Sequence, residues 1–375
     1  MRLACLCALL MCALSTLLCA QEEASLPAYF SYAPEELKAL HQLPTNQNMD
    51  MLEVRKWDGI AMRAVEEKKL SFYDYTRVFT YLYVAQADAA YLSQNLIGEF
   101  KGSLDPVSYQ VLSVFFPDLA KPTLFTEDLY SLALAQLITA QVDARIKHEN
   151  SLSHLFYVPE ALQQDFSAGL GVAKWIPWFA KPSIDYWPPS PPSLDNPVWK
   201  EQIAAIKAAQ NPMTEEKKEV IYLWAGLSYP WSGDWRNIVN QYLLCRSVPL
   251  KKAFSVRSTL MVGLYDSVAA YTTCKYHYLI PRPQKMDPSI RYEIPVPKHP
   301  SYPSGHATES TVATRILSLY FPADAKYWQI MAEQCRISRI WAGIHYPFDN
   351  EAGKVCGNKV ADKVLSETFK STSKN

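Results

Sequence analysis

The spacing of apolar and polar residues along this chain predicts helices and very few strands. Apolar residues recur every three or four positions through most of the sequence, which is typical of amphipathic helices. The helices predicted from this spacing cover residues 50–69, 73–95, 105–116, 126–148, 198–210, 214–224, 234–245, 250–278, 304–320, 323–344 and 351–369. We therefore predict an all-α helical bundle that forms mostly one domain.

Residues 174–199 interrupt this pattern with closely spaced prolines and aromatic residues. Such a segment cannot be helical, because proline lacks an amide hydrogen and its ring clashes with the preceding turn. One interpretation is a flexible linker or a polyproline tract that binds a partner. The number of Trp and Tyr residues favours a rigid loop packed on the core instead.

The first twenty residues resemble a signal peptide. Arg2 supplies the charged start, residues 3–18 the apolar core, and Leu18-Cys19-Ala20 a cleavage site before Gln21. We therefore expect an exported protein, periplasmic or secreted. The alternative is a lipoprotein anchor on Cys19, although Leu18 is a poor match for the small residue that such a site requires. No later segment has eighteen uninterrupted apolar residues, so no transmembrane span is predicted for the mature chain.

The charge of the chain excludes an obvious polyanionic partner. The 37 basic and 37 acidic residues cancel, and there is no basic block or nucleic-acid-binding motif. We therefore expect no nucleic-acid partner.

Four of the eight cysteines lie in the predicted signal peptide. The remaining four, Cys245, Cys274, Cys335 and Cys356, could form two disulfides in an exported protein or could be buried thiols. Their spacing fits no zinc motif.

Residues 338–349 combine side chains suited to anion binding and proton transfer. His345 and Asp349 are four residues apart, so that on a helix they would share a face. A carboxylate against one ring nitrogen fixes the tautomer and leaves the other nitrogen basic, as a nucleophilic histidine requires. Arg339 adds a permanent charge with forked donors that suit phosphate. The alternative is a half-buried helix whose His and Asp merely satisfy each other.

A second stretch, Tyr-Pro-Ser-Gly-His at residues 302–306, precedes a predicted helix. Pro303 and Ser304 are helix-start signals, and Gly305 allows a ligand to approach the backbone closely. The amides at such a helix start favour anions. His306 would lie beside a bound anion, where it could give or take a proton.

A third stretch, residues 275–283, supplies two more cations. Lys275 and Arg282 are seven residues apart, and prolines 281 and 283 flank the arginine. The prolines predict that the helix ends there and that a stiff extended segment presents Arg282. Together with Arg339, these residues would place three cations around one anion.

Taken together, Lys-x6-Arg-Pro, Pro-Ser-Gly-His and Ser-Arg-x5-His-x3-Asp resemble the signature of the type 2 phosphatidic acid phosphatase and vanadium haloperoxidase superfamily. All three parts are intact and in order. The resemblance covers about residues 165–365, and its upstream part looks like the secreted, soluble bacterial haloperoxidase-like branch. It implies a helical bundle of the acid phosphatase and vanadium haloperoxidase type.

The resemblance also implies a role for each residue. His345 would be the nucleophile, Asp349 its orienting carboxylate, and His306 the general acid and later the base. Phosphate or vanadate would be held by Lys275, Arg282, Ser304, Gly305 and Arg339. In a haloperoxidase, His345 would instead ligate vanadium. His277 and His299 flank these motifs, and we expect a structural role for both.

Two enzyme functions fit this resemblance. One is an exported, acid-type phosphatase that hydrolyses a small phosphoric monoester or a phospholipid headgroup through a phosphohistidine, without a cofactor. The short gap between His306 and Ser338 favours it. The other is a vanadate-dependent haloperoxidase that oxidises halide with hydrogen peroxide, which the upstream likeness favours. A catalytically silent phosphate-binding relative is a third possibility that the complete motifs disfavour. We expect residues 21–165 to form an N-terminal helical region that packs on a catalytic domain at residues 166–375.

Overall fold

The computed structural model describes residues 26–153, 156–227 and 233–370. Its α-helices in chain order are α1 Pro34–His41, α2 Met51–Glu67, α3 Phe72–Ile97, α4 Asp105–Phe115, α5 Leu129–Ser151, α6 Val198–Ala209, α7 Glu215–Trp224, α8 Trp235–Cys245, α9 Leu250–Tyr278, α10 Pro283–Met286, α11 Gly305–Tyr320, α12 Ala325–Trp341 and α13 Pro347–Lys370. Short 3₁₀ helices cover Glu160–Leu162, Leu170–Lys174, Ser183–Tyr186 and Pro322–Asp324. The predicted signal peptide, with Cys19, lies outside the described residues.

The all-α prediction is confirmed. Within the described ranges, β-structure is limited to one isolated bridge between Asn48 and Lys101. None of the helices described is long and apolar enough to cross a membrane. Polar side chains fix several helix starts, as at α2, where the Asp50 carboxylate accepts hydrogen bonds from the amides of Leu52 and Glu53.

Helix α9 forms the centre of the bundle. Nearly all of its residues from Ala253 to Tyr276 are buried, as expected for a helix enclosed on all sides. It packs against α3 from the N-terminal half and against α11 and α13 from the C-terminal half. Its C-terminal end carries Lys275, so the most enclosed helix of the bundle positions one of the predicted site residues.

Helices α11 and α13 approach each other unusually closely because α13 carries two glycines at the contact. A Cβ atom on Gly353 would lie 2.7 Å from the carbonyl oxygen of Ser304, and one on Gly357 would lie 2.5 Å from that of Thr308. Any larger residue would therefore push the helices apart. This contact sets the distance between the start of α11 and Asp349 in the first turn of α13.

The N-terminal helices share one hydrophobic core with the C-terminal helices. Trp57, Phe79, Leu260 and Ile316 belong to the same buried cluster, although they come from both halves of the chain. This shared core joins the two halves of the chain, and the number of domains stays a prediction. The boundary that we placed between residues 165 and 166 stays a prediction.

The proline-rich tract packs on the core as a rigid loop. Trp175 and Trp178 are buried, and the Asp266 carboxylate of α9 accepts hydrogen bonds from the amides of residues 178–180 at 2.6–2.8 Å. A carboxylate that collects successive backbone amides holds the loop in one conformation. The rigid-loop interpretation is therefore the correct one.

Three of the cysteines predicted to remain after export, Cys274, Cys335 and Cys356, are free and buried, and Cys245 is exposed. Burial raises the pKa of each buried thiol. Two disulfides therefore do not form among these residues, and the buried-thiol alternative describes these three.

Candidate active site

The predicted site residues meet where α9 ends and where α11 and α13 begin. Lys275, Arg282, Ser304, Arg339, His345 and Asp349 are all at most 3% exposed. His306 is partly exposed. Lys275 and Asp349, the first and last of these residues, are 74 positions apart in the sequence. The segments that carry them thus form one buried polar cluster.

His345 and Asp349 are paired, although they do not share the face of one helix. The Nδ1 atom of His345 lies 2.8 Å from Oδ2 of Asp349, yet α13 begins only at Pro347. Helix α12 ends at Trp341, and Gly343 then adopts a left-handed φ of 75°, which favours glycine. His345 therefore lies in the turn between two helices, and this turn folds its ring back onto the first turn of α13.

The hydrogen bonds around His345 define its tautomer. The Arg282 guanidinium can only donate, and its Nη1 lies 3.0 Å from Nε2 of His345. Nε2 therefore accepts, and Nδ1 carries the proton that it donates to Asp349. The same Asp349 oxygen also accepts from the Ser301 hydroxyl at 2.6 Å and from the Tyr346 amide at 3.2 Å. The basic nitrogen of His345 is thus aimed towards the cations.

Arg282 is held rigidly in the extended segment that the sequence predicted. Its backbone has φ −67° and ψ 155°. Its guanidinium donates to the carbonyl oxygens of Ile344 and His299 at 2.6 and 3.0 Å, and to Nδ1 of His299 at 3.0 Å. His299, for which we expected a structural role, therefore supports an arginine of the site. His277 instead packs against Trp187, with ring centroids 4.8 Å apart.

Lys275 and Arg339 are anchored by backbone carbonyls rather than by carboxylates. Lys275 Nζ donates to the carbonyl oxygens of Pro300 and Ser301, both at 2.8 Å. Arg339 donates to the Ser338 hydroxyl at 2.9 Å and to the carbonyl oxygen of Ile221 at 3.0 Å. Neutral partners position these groups without cancelling their charge.

The start of α11 has the geometry of an anion site. Ser304 is the N-cap, and its hydroxyl accepts from the Ala307 amide at 3.3 Å. The Ser304 side chain is therefore used as a cap. Helix geometry leaves the first amides, those of Gly305 and His306, without partners within the helix, and the dipole favours negative charge there.

The surrounding cations and burial keep both histidines neutral. Burial, helped by Arg282 and Lys275, holds the pKa of His345 well below its usual range. Burial and Arg339 lower the pKa of His306 to about 3, and His306 Nε2 donates to the carbonyl oxygen of Trp224 at 3.0 Å. A neutral His345 can act as a nucleophile, and a bound anion would raise both pKa values by opposing the cations.

The cations themselves lack a matching number of anions. Burial lowers the pKa of Arg282 and of Arg339 to about 10 and that of Lys275 well below its usual range. Burial also raises the pKa of Asp349 to about 6, although the hydrogen bond from Ser301 lowers it. A buried positive cluster of this kind is stabilised by binding an anion of two or more charges.

We call this cluster the oxyanion cage, defined by Lys275, Arg282, Ser304, Gly305, His306, Arg339, His345 and Asp349. Ser301, which donates a hydrogen bond to Asp349, was not predicted, because a single serine in a loop has no diagnostic spacing. Tyr271 and Glu309, which lie behind the start of α11, were not predicted either. Their only sequence signal is their position, one helical turn from Lys275 and from His306.

Comparisons with known proteins give one family-model match and several structural matches. The family model described as PAP2 superfamily matches residues 256–361. No curated protein matches the sequence significantly. A bacterial vanadium-dependent iodoperoxidase structure is similar with a TM-score of 0.61 and 17% identity, over 90% of this chain and 97% of the other.

Two structures of a bacterial vanadium-dependent chloroperoxidase, holo and apo, are also similar. Their TM-scores are 0.52 and 0.53 at 12% identity, over 77% of this chain and over 82% and 84% of theirs. At these identities the similarities establish the fold of the chain, which includes its N-terminal half.

Proposed function

We propose that the chain, whose residues 256–361 match the PAP2 superfamily model, is an exported phosphoric ester hydrolase. The observation that carries the proposal is the orientation of His345. Its unprotonated Nε2 lies 3.0 Å from the Arg282 guanidinium, while Asp349 holds the proton on Nδ1. This is a nucleophile with a fixed tautomer, placed where cations would hold a phosphoryl group.

The proposed reaction has two steps. His345 Nε2 attacks phosphorus, a P–N bond forms, and the bond to the ester oxygen breaks as His306 protonates that oxygen. Water then attacks the phosphohistidine, gives a proton to His306, and releases inorganic phosphate and the free imidazole. Lys275, Arg282 and Arg339 stabilise the charge that spreads over the non-bridging oxygens.

His306 can act as an acid only when an anion is bound. Burial and Arg339 lower its pKa to about 3, so that by itself it is neutral at physiological pH. A phosphoryl group opposes the cations that depress this pKa, and the imidazole can then take up the proton that it delivers.

A second candidate function is a vanadate-dependent haloperoxidase. It is favoured by the match to the iodoperoxidase structure over almost the full length of both chains. The residues fit vanadate, because His345 presents an unprotonated Nε2 and the cage supplies buried cations for oxyanion oxygens. His345 would ligate vanadium, and Lys275, Arg282 and Arg339 would hold its oxygens. Bound vanadate would supply the Lewis acid that activates hydrogen peroxide for halide oxidation.

A paired assay on the purified mature chain separates these functions. One arm follows hydrolysis of p-nitrophenyl phosphate, and the other follows bromination of a phenol dye with hydrogen peroxide after loading with orthovanadate. Hydrolysis that vanadate inhibits, without bromination, supports the hydrolase. Vanadate-dependent bromination with negligible hydrolysis would overturn it in favour of the haloperoxidase. His345→Ala should abolish whichever activity is present, and unaltered turnover in this variant would refute both.

A further inference from the structure

A second buried carboxyl group, Glu309, lies behind the oxyanion cage and has no role in the proposed mechanism. It is on α11, three residues after His306, and is 9% exposed. Residues at this spacing lie on adjacent turns of one helix face. Asp349, by contrast, is already bonded to His345 through its Oδ2 atom.

Glu309 is connected to the anion-binding end of α11 through Tyr271. The Tyr271 hydroxyl donates to Oε1 of Glu309 at 2.8 Å. The same ring packs on the start of α11, where a Cβ atom on Gly305 would lie only 3.0 Å from it. Tyr271 also precedes Lys275 by one turn of α9. Lys275 Nζ lies 5.9 Å from the centroid of the Tyr271 ring, so Tyr271 lies beside two walls of the cage.

The titratable groups that face Glu309 come from four other helices. Lys275 on α9 attracts its carboxylate, whereas Asp234 at the start of α8 repels it. Tyr73 on α3 and Cys335 on α12 also interact with it electrostatically, and Tyr271 donates from α9. Burial outweighs these groups and raises the pKa of Glu309 to about 8. The carboxyl is therefore neutral at neutral pH and ionises in mildly alkaline solution.

We propose that Glu309 is a specificity-determining residue, which sets the net charge of the cage and thereby selects the charge state of the oxyanion that binds. This inference rests on the proposed function only in requiring that the cage binds a tetrahedral oxyanion. With Glu309 protonated, Lys275, Arg282 and Arg339 oppose Asp349 alone, and a dianion is favoured. Ionised Glu309 cancels one further positive charge, which favours a monoanion.

Inorganic sulfate is a suitable probe, because it stays a tetrahedral dianion throughout the accessible pH range. Its affinity is measured by isothermal titration calorimetry between about pH 6 and about pH 10, around the ionisation of the carboxyl. The wild type is compared with Glu309→Gln, which keeps an acceptor for Tyr271 but cannot ionise. Glu333→Gln on α12 is the matched control, because its carboxylate is 65% exposed and pairs with Arg336 at the surface.

We expect the wild type to lose sulfate affinity relative to Glu309→Gln as the pH rises through about 8, by at least about tenfold for a buried charge one helical turn away. Glu333→Gln should follow the wild type throughout. Tyr271→Phe removes a hydrogen bond that favours the ionised carboxylate, so its loss of affinity should shift to higher pH.

The outcomes distinguish this inference from the proposed function. A wild-type to Glu309→Gln affinity ratio that stays constant with pH would overturn the role of Glu309 while leaving the cage intact. Failure of the wild type to bind sulfate, phosphate or vanadate at any pH would overturn the cage itself. Sulfate binding with the expected pH profile would support the inference even if p-nitrophenyl phosphate were not hydrolysed.

Discussion

The Asp349→Asn substitution tests whether His345 is the nucleophile. The Asp349 Oδ2 atom accepts from His345 Nδ1 at 2.8 Å, from the Ser301 hydroxyl at 2.6 Å and from the Tyr346 amide at 3.2 Å. When His345 forms a bond through Nε2, its ring becomes cationic while the proton stays on Nδ1. The ionised carboxylate stabilises that charge, and an amide of the same shape does not.

The expected effect follows from this charge pair. A unit charge about 4 Å from another contributes about 4 kcal/mol at an effective dielectric constant of about 20, which corresponds to a rate factor of about 1,000. We therefore expect kcat of Asp349→Asn to fall by about three orders of magnitude. Sulfate affinity should stay within about threefold or increase, because the cations remain and a negative charge is lost.

The assay combines steady-state hydrolysis of p-nitrophenyl phosphate, sulfate calorimetry and thermal unfolding. Ser301→Ala is the matched variant, because it removes one hydrogen bond to Asp349 but keeps the charge, and we expect it to lower kcat only about tenfold. Near-normal kcat in Asp349→Asn would refute the role assigned to the pair. Parallel losses of kcat, sulfate affinity and stability would show that Asp349 acts only on the fold.

Three further predictions test the cage and its support. Lys275→Met should weaken sulfate binding at least about 100-fold, since it removes a buried charge; calorimetry with a normal unfolding curve would check this. Phosphate binding at neutral pH should be accompanied by proton uptake. Burial and Arg339 lower the pKa of His306 to about 3, and a bound anion raises it. Calorimetry in buffers of different ionisation enthalpy should show less proton uptake in His306→Gln than in the wild type. The buried Asp88 carboxylate accepts hydrogen bonds from the amides of Tyr29 and Phe30 at 2.8 and 3.1 Å. Asp88→Ala should therefore lower the free energy of unfolding by about 3 kcal/mol. It should also speed proteolysis before residue 34.

The helices were predictable because their signals are local. The apolar spacing of residues 250–278 and the proline at 281 predicted a helix and an extended Arg282, and both are confirmed. The predicted start of α11 is also confirmed, with Ser304 as its N-cap. In these segments, local signals such as the apolar spacing, the proline positions and the Ser304 cap favour the observed conformation.

The way in which His345 meets Asp349 depends on a contact between segments that the sequence does not show. The spacing of His345 and Asp349 is the same in a helix and in the turn that actually holds them, so spacing alone could not distinguish the two. Gly343 permits the turn, since a Cβ atom there would lie 2.1 Å from the carbonyl oxygen of Arg291. Glu309 and Ser301 were missed for a similar reason, because their partners come from other segments of the chain.

The cage can serve either proposed chemistry because both need the same physical features. A phosphoryl group in transfer and a bound vanadate both place negative oxygens around a centre attached to a nitrogen atom. Backbone carbonyls position Lys275 and Arg339 without neutralising them, and Arg282 is the cation that directly contacts His345 Nε2. The net charge of the site is one physical feature that can favour one of the two anions. Glu309 is a buried group whose pKa of about 8 allows that charge to change in mildly alkaline solution.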